Sequence, residues 1–279
     1  MNYRTLVSKI SSSIALIYEK VEADQIAKMV LEDFGFDRNT LLLNKPINFT
    51  VDQTQNLDSI ISKLQNEEPI QHILGYAWFV DRKYIVNREV LIPRQETEEL
   101  VHLVADENLE PGLKILDIGT GSGCIGISLA LMMNEADVHA SDVSEGALGV
   151  AKQNAKTHQV DLNFHQGDIL KNFPEVDELD IIVCNPPYIS AAEMVDIQKN
   201  VIDFEPHLAL FISDNSPLIF YHKVSEWAQT KLKRDGKLYF EINEGYGPEM
   251  EQLLAEYSFE QIRIIDDLNG KARIATATK

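Results

Sequence analysis

The segment LKILDIGTGSGCIGISLALMM, residues 113–133, constrains the fold of this chain more than any other. LKILDI (113–118) reads as a short buried strand bounded by glycines, and SGCIGISLALMM (122–133) as a helix. The alternation then continues. ADVHASD (136–142) predicts a strand and SEGALGVAKQNAKTH (144–158) a helix. DLNFHQGD (161–168) and ELDIIVCN (178–185) predict further strands. Residues 186–215 show little periodicity. SPLIFYHKVSEWAQTKLK (216–233) predicts a helix and GKLYFEIN (236–243) a strand. Strands alternating with helices imply an α/β fold, a mostly parallel sheet with helices on both faces. The tail reads as two strands around Asn269-Gly270, so one strand should run antiparallel.

The first 66 residues follow a different rhythm. Leu6, Val7, Ile10, Ile14 and Ile17 recur at three- and four-residue steps, as do Ile26, Met29, Val30 and Phe34. Thr50 and Gln53 have the spacing of a capping box. YAWFVDRKYIVNREVLIP (76–93) is rich in aromatic and β-branched residues and predicts a hairpin. The expected organisation is a helical domain over 1–74, a hairpin linker over 75–93 and an α/β domain over 94–279. No apolar run approaches the roughly 20 residues needed to cross a bilayer. The first 20 residues lack the pattern of a signal peptide, and Cys124 and Cys184 form no CxxC. These features predict a cytoplasmic protein with two reduced thiols and no metal.

In open α/β sheets, ligands bind outside the carboxyl ends of the strands. That rule selects the stretches after Ile118, Ser141 and Cys184. The first is DIGTGSGCIG, in which Gly121-x-Gly123-x-x-Gly126 also matches the dinucleotide fingerprint. Asp142, at the tip of the second strand, can accept both hydroxyls of a ribose; alternatively it caps the next helix. Asp168 can accept the exocyclic amine of an adenine, or serve as a turn residue. Asp117 separates the two cofactor classes. A carboxylate beside the glycines repels a pyrophosphate but suits the ammonium of a methionine moiety, which favours S-adenosylmethionine.

After the fourth strand stands Asn185-Pro186-Pro187-Tyr188. Each proline holds the residue before it extended. Proline has no N–H, so this backbone offers acceptors without competing donors. The side-chain oxygen of Asn185 and the carbonyl of Pro186 can converge on one planar NH₂ group. Two acceptors favour a pyramidal nitrogen and aim its lone pair at a methyl group. Tyr188 adds an aromatic face for a flat amide or base. The motif resembles that of amino-methyltransferases acting on adenine, cytosine or glutamine.

Longer stretches narrow the choice. EPIQHILGYAWF (68–79), VLIPRQETEELV (90–101), ILDIGTGSGCIGISLA (115–130), NPPYI (185–189), VIDFEPHLAL (201–210) and DLNGKARI (267–274) resemble the HemK/PrmC family, over essentially the whole chain. The family comprises peptide chain release factor N5-glutamine methyltransferases. The resemblance implies a class I S-adenosylmethionine-dependent methyltransferase, Rossmann-like with a mostly parallel seven-stranded sheet. A small helical N-terminal domain that binds the release factor and a β-hairpin linker precede it. It implies transfer of a methyl to the glutamine of a Gly-Gly-Gln motif in bacterial class I release factors, with S-adenosyl-L-homocysteine as product. By motif position, Asp117, Gly119, Thr120, Gly121, Ser122, Gly123, Asp142, Asp168, Ile169 and Asn185 are implied for cofactor binding. Asn185, Pro186, Pro187 and Tyr188 are implied for substrate, with Asn185, Pro186 and Tyr188 in catalysis. Ile169 stands where the family often presents an aromatic. Gln95 replaces a usual proline and should loosen the linker, and EINEGYG (241–247) departs from the family's turn.

The alternative is an adenine-N6 nucleic-acid methyltransferase, which shares the motif. Against it stands a net charge of −19, from 25 basic and 44 acidic residues. Nucleic-acid binding draws on Lys and Arg neutralising phosphates. No direct nucleic-acid or membrane contact is expected, and a monomer is.

Overall fold

The computed structural model describes residues 1–36, 38–42, 46–188, 199–212 and 216–279. The chain divides into two compact units, Met1–Gly75 with Gln198–Phe204, and Tyr76–Ile197 with Glu205–Lys279.

The first unit is helical: α1 (Tyr3–Ile14), α2 (Lys20–Asp33), α3 (Arg38–Leu42), α4 (Val51–Gln65) and α5 (Ile70–Leu74). The spacing that predicts helices also predicts their buried face. Leu6, Ile10 and Ile14 of α1 pack with Ile26, Val30 and Leu31 of α2, and with Leu57, Ile60 and Leu64 of α4. The expected capping box forms at α4. The Thr50 hydroxyl accepts from Gln53 N–H, and the Gln53 side chain accepts from Thr50 N–H. Gly75 ends α5 in the left-handed conformation.

The second unit opens with a hairpin, β1 (Tyr76–Phe79) and β2 (Arg82–Ile85), paired from Tyr76↔Ile85 to Phe79↔Arg82. Its two turn residues, Val80 and Asp81, both have positive φ, the turn whose twist matches a hairpin. From Tyr76 on, the expected linker is part of this unit, because Phe79 and Tyr84 bury their rings in its core beside Leu100 and Ile127. Then follow α6 (Gln95–Glu107), β3 (Lys114–Ile118), α7 (Cys124–Met132), β4 (Asp137–Asp142), α8 (Glu145–His158), β5 (Asn163–Gln166) and β6 (Leu179–Cys184). After α9 (Lys199–Phe204), which groups with the first unit, come α10 (His207–Leu210), α11 (Ile219–Lys231), β7 (Leu232–Glu241), α12 (Gly247–Glu256), β8 (Glu260–Asp266) and β9 (Ala272–Thr278).

The seven-stranded sheet has the order β5-β4-β3-β6-β7-β9-β8. Strands β5, β4, β3, β6 and β7 are mutually parallel. Strand β9 runs antiparallel to both neighbours. The sheet therefore contains the single reversed strand expected from the tail. Successive residues serve opposite faces. Leu116, Ile182 and Leu238 meet α11 and α12 on one side; Ile115, Ile181 and Tyr239 meet α6 and α7 on the other. Burial on both faces explains why these strands read as unbroken apolar runs.

Order along the sheet reverses between β3 and β6: β4 and β5 extend one way from β3, β6 and β7 the other. A crevice at the carboxyl ends of β3 and β6 follows from that reversal. Helices α6 and α12 were not separately anticipated, although Met250, Leu253 and Leu254 mark the buried face of α12. Helix α6 begins at Gln95. This first helical position favours proline but does not require it, so the substitution leaves the helix start intact. EINEGYG forms a single 3₁₀ turn, Glu244–Tyr246, with the Asn243 side chain accepting from Gly245 N–H. Ile189, the last residue of the NPPYI stretch, lies outside the described residues, as do 190–198 and 213–215 of the aperiodic segment.

Candidate active site

The glycine loop joins β3 to α7. Gly123 caps α7 with φ of 81°, and a Cβ there would lie 2.9 Å from Ile127 Cδ1 and 3.1 Å from the Ala151 methyl. Gly126 has another role. A Cβ on it would meet Asp117 Oδ2 at 3.1 Å, so its absence lets α7 sit directly on that carboxylate. The loop is tied down by its own amides. Gly119 N–H and Thr120 N–H both donate to the Ser141 carbonyl at 2.9 Å, and Gly123 N–H donates to the Thr120 carbonyl. Gly121 N–H donates to Asp142 Oδ2 at 2.9 Å.

Those bonds bear on the choice between the cofactor classes. A pyrophosphate needs free backbone N–H groups. Here the N–H groups of Gly119, Thr120, Gly121 and Gly123 already have partners, and two carboxylates stand beside them. Such a lining suits a ligand with an amine and hydroxyls better than one with phosphates.

Asp117 is fully buried at 0% exposure. Its Oδ2 accepts from the Thr120 hydroxyl at 2.7 Å and from Gly126 N–H at 3.0 Å. Its Oδ1 has no hydrogen-bond partner among the described residues. A buried, unpartnered carboxylate oxygen is costly unless a ligand donates to it. Burial pushes its pKa from 3.8 to about 6; the Thr120 and Gly126 hydrogen bonds oppose this, and the Asp142 charge adds to it. An ammonium group fits this oxygen.

Asp142, at the end of β4, is not the cap of α8. Ser144 holds that place, accepting from Ala147 N–H, while Asp142 Oδ1 accepts from Ser144 N–H at 2.9 Å. The carboxylate thus joins two loops. Burial raises its pKa, with the backbone N–H groups of Ser144, Gly121 and Val143 opposing. After β5, Gly167 N–H donates to the Asp142 carbonyl at 3.0 Å. Asp168 behaves as a turn residue: Oδ1 accepts from Leu170 N–H and Oδ2 pairs with Lys171 at 2.9 Å. That pairing lowers its pKa. Ile169 is half-buried against the core.

The motif after β6 reaches the same place. A Cβ on Gly119 would lie 3.9 Å from the Asn185 carbonyl oxygen. Pro186 is buried, while Asn185, Pro187 and Tyr188 are half-buried. The Asn185 side-chain amide donates to Thr97 Oγ1 at 3.4 Å, and the Tyr188 hydroxyl donates to Glu241 Oε1 at 3.4 Å. Thr97 in turn donates to Glu241 Oε2 at 2.6 Å. The sequence alone assigns no role to Thr97 or Glu241. Each is one polar residue among several in its element, and only the fold brings α6, β6 and β7 together around them. Burial raises the pKa of Glu241 and of Tyr188.

Two further side chains brace the site. Asn154, fully buried on α8, accepts from Ile85 N–H and donates to the Ile85 and Ser122 carbonyls. It links the hairpin to the glycine loop. Glu205 accepts from Ile92 N–H at 3.0 Å and from the Arg94 guanidinium at 2.7 Å. Arg94 and Glu205 thus form an ion pair between two distant segments of the chain. The Glu205 side chain is 1% exposed and that of Arg94 35%. Removing one partner of a buried pair leaves a charge uncompensated. Arg94→Ala should lower unfolding stability by roughly 2–3 kcal/mol, discounted for the exposure of Arg94. A urea titration followed by tryptophan fluorescence checks this, since Trp78 and Trp227 both lie in the second unit. An unchanged midpoint would show that the pair is energetically silent.

Comparison with known proteins agrees with this geometry. Residues 97–206 match the family described as "Methyltransferase small domain", and residues 18–75 match "PrmC N-terminal domain". The chain is 42% identical over 278 residues to a release factor glutamine methyltransferase of Flavobacterium psychrophilum, covering 98% of this chain and 96% of that protein. It is 40% identical over 276 residues to the release factor glutamine methyltransferase of Bacteroides thetaiotaomicron, covering 98% and 99%. Among solved structures, a methyltransferase from Pyrococcus furiosus aligns with a TM-score of 0.52 at 14% identity, over 82% of this chain and 98% of that one. The delta-N METTL16 MTase domain aligns with a TM-score of 0.52 at 18% identity, over 70% and 87%. The structural matches carry the fold alone; the sequence matches carry more. The chain belongs to the family of release factor glutamine methyltransferases.

Proposed function

We propose that this protein transfers a methyl group from S-adenosylmethionine to the side-chain amide nitrogen of the glutamine in the Gly-Gly-Gln motif of class I peptide chain release factors. One juxtaposition carries the reading. A glycine loop with its own amides engaged, over a buried carboxylate with one free oxygen, lies against the Asn185-Pro-Pro-Tyr turn.

When bound, S-adenosylmethionine supplies an electrophilic methyl and leaves as S-adenosylhomocysteine. Asp117 would take the ammonium, residues Gly119 to Gly123 the methionine portion, and Asp142 the ribose hydroxyls. Asp168 and Ile169 would border the adenine; to accept from its amine, Asp168 must give up part of its bond to Lys171.

The substrate amide is a poor nucleophile because its lone pair is delocalised into the carbonyl. Asn185 Oδ1 and the Pro186 carbonyl accept one N–H each. Held by two acceptors, the nitrogen can direct its lone pair at the methyl carbon as the carbon–sulfur bond breaks toward sulfur. The proton leaves the nitrogen afterwards, so no strong base is required. Pro187 keeps Pro186 extended, and Tyr188 packs its ring against the planar amide. The helical unit would engage the release factor, consistent with its match to the PrmC N-terminal domain. We read the protein as a cytoplasmic monomer without direct nucleic-acid contact. Among the described residues no helix is long and apolar enough to cross a membrane.

Mass spectrometry after incubation with a class I release factor and S-adenosylmethionine should find one added methyl on the Gly-Gly-Gln glutamine. Methylation of DNA or RNA at an equal or greater rate would overturn the reading. Asp142→Ala should weaken S-adenosylmethionine binding by roughly ten- to a hundredfold, the loss of charge-assisted hydrogen bonds. Calorimetry checks this, and an unchanged affinity would remove Asp142 from the cofactor site.

A further inference from the structure

The motif after β6 does not stand alone: both of its polar side chains hang from one carboxylate. Glu241, 1% exposed at the end of β7, accepts from Thr97 with one oxygen at 2.6 Å and from Tyr188 with the other at 3.4 Å. Thr97, 3% exposed, is also buried on α6.

A threonine hydroxyl has one proton to give. Thr97 gives it to Glu241, so toward Asn185 its oxygen can only accept. The group it accepts from must be a donor. That selects the amide nitrogen of Asn185, at 3.4 Å, and turns Asn185 Oδ1 to the other side of the carboxamide plane. Asn side-chain N and O are nearly the same size, so packing alone does not choose between the two orientations. The hydrogen-bond chain does.

We propose that Thr97 and Glu241 are positioning residues that fix which end of the Asn185 carboxamide is presented to the substrate. The chain carries acceptor character from a buried carboxylate, through one hydroxyl, to the Asn185 oxygen. Flipped by half a turn, Asn185 would present an NH₂ to the substrate NH₂, and donor would face donor. The same carboxylate holds the Tyr188 hydroxyl, so ring and amide share one anchor. This inference rests on the proposed amide methylation for its catalytic consequence. The orientation itself does not depend on that reading.

The two parts are tested separately. In the cofactor-free protein labelled at asparagine, the Asn185 side-chain NH₂ should show a nuclear Overhauser contact to the Thr97 methyl. Its absence would overturn the orientation whatever the protein methylates. In the enzyme assay, Thr97→Val keeps the shape and removes the hydroxyl. It should lower kcat by roughly ten- to a hundredfold, with the KM for release factor and the Kd for S-adenosylmethionine within about twofold. Thr97→Ser keeps the hydroxyl and should restore kcat to within about threefold of wild type. Equal losses in Thr97→Ser and Thr97→Val would show that retaining the hydroxyl does not preserve turnover, and would overturn the relay. Wild-type kcat in Thr97→Val would overturn it too. Should wild-type protein transfer no methyl to any release factor, the functional reading fails, while the Overhauser contact still decides the orientation.

Discussion

Asn185→Ala should lower kcat by roughly 10²- to 10³-fold and leave the Kd for S-adenosylmethionine within about twofold, the cost of losing one preorganised group at the reacting centre. The reason lies in what each part of Asn185 touches. Its backbone carbonyl faces Gly119, and that contact survives the substitution. Its side chain reaches Thr97 and, in the proposed complex, the substrate amide. Truncation would therefore remove an acceptor from the substrate amide and spare the loop proposed to hold the cofactor. The remaining acceptor, the Pro186 carbonyl, holds one N–H but does not fix the tilt of the nitrogen. Misorientation of this kind shows in kcat before it shows in binding. Steady-state kinetics paired with calorimetry separates the two. Equal losses in turnover and cofactor affinity would mean that Asn185 braces the loop rather than orienting the amide.

Much of this was legible before the fold was known, because the strands announce themselves. KILDI and LDIIVC are short apolar runs bounded by glycine, proline or polar residues, and both lie in the buried centre of the sheet. Their chemistry-bearing neighbours sit at strand ends, where the sheet rule places ligands. Asp117 and Asp142 were found for that reason. Thr97 and Glu241 were not, because their role is a contact across 144 positions of sequence. No periodicity encodes such a pair. Asn154 is another case: it lies on the buried side of α8, among apolar residues that sequence reading counts as core. Asp142 shows a subtler limit. Asp142 and Ser144 are both good helix caps, and only the fold shows that Ser144 takes the role and frees Asp142 to hold Gly121.

Asp117→Asn should move stability and affinity in opposite directions above pH 6. The Asp117 carboxyl is raised from 3.8 to about 6, chiefly by burial. An acid whose folded pKa lies above its unfolded value keeps its proton longer in the folded state. Between about pH 4 and pH 6 the folded protein binds more protons, so stability falls as pH rises through that window. By pH 7 the ionised carboxylate costs the cofactor-free protein on the order of 2–3 kcal/mol. Asparagine does not titrate. Its amide brings a fixed cost of its own, since an NH₂ takes the place of the unpartnered Oδ1. That cost is the same at every pH. The informative quantity is therefore the difference between the two unfolding curves, which should shift by about 2–3 kcal/mol in favour of Asp117→Asn from pH 4 to pH 7. Parallel curves would mean that the carboxyl titrates normally. S-adenosylmethionine should reverse the balance. Its ammonium supplies the missing donor and favours the charged carboxylate. Asp117→Asn should thus bind the cofactor roughly ten- to a hundredfold more weakly at pH 7. Wild-type affinity should rise as pH increases through about 6, whereas the affinity of the variant should not. On the proposed reading, the oxygen that weakens the cofactor-free fold is the one that would take the cofactor ammonium, so a substitution that relieves its cost at this position should do so only at the expense of binding.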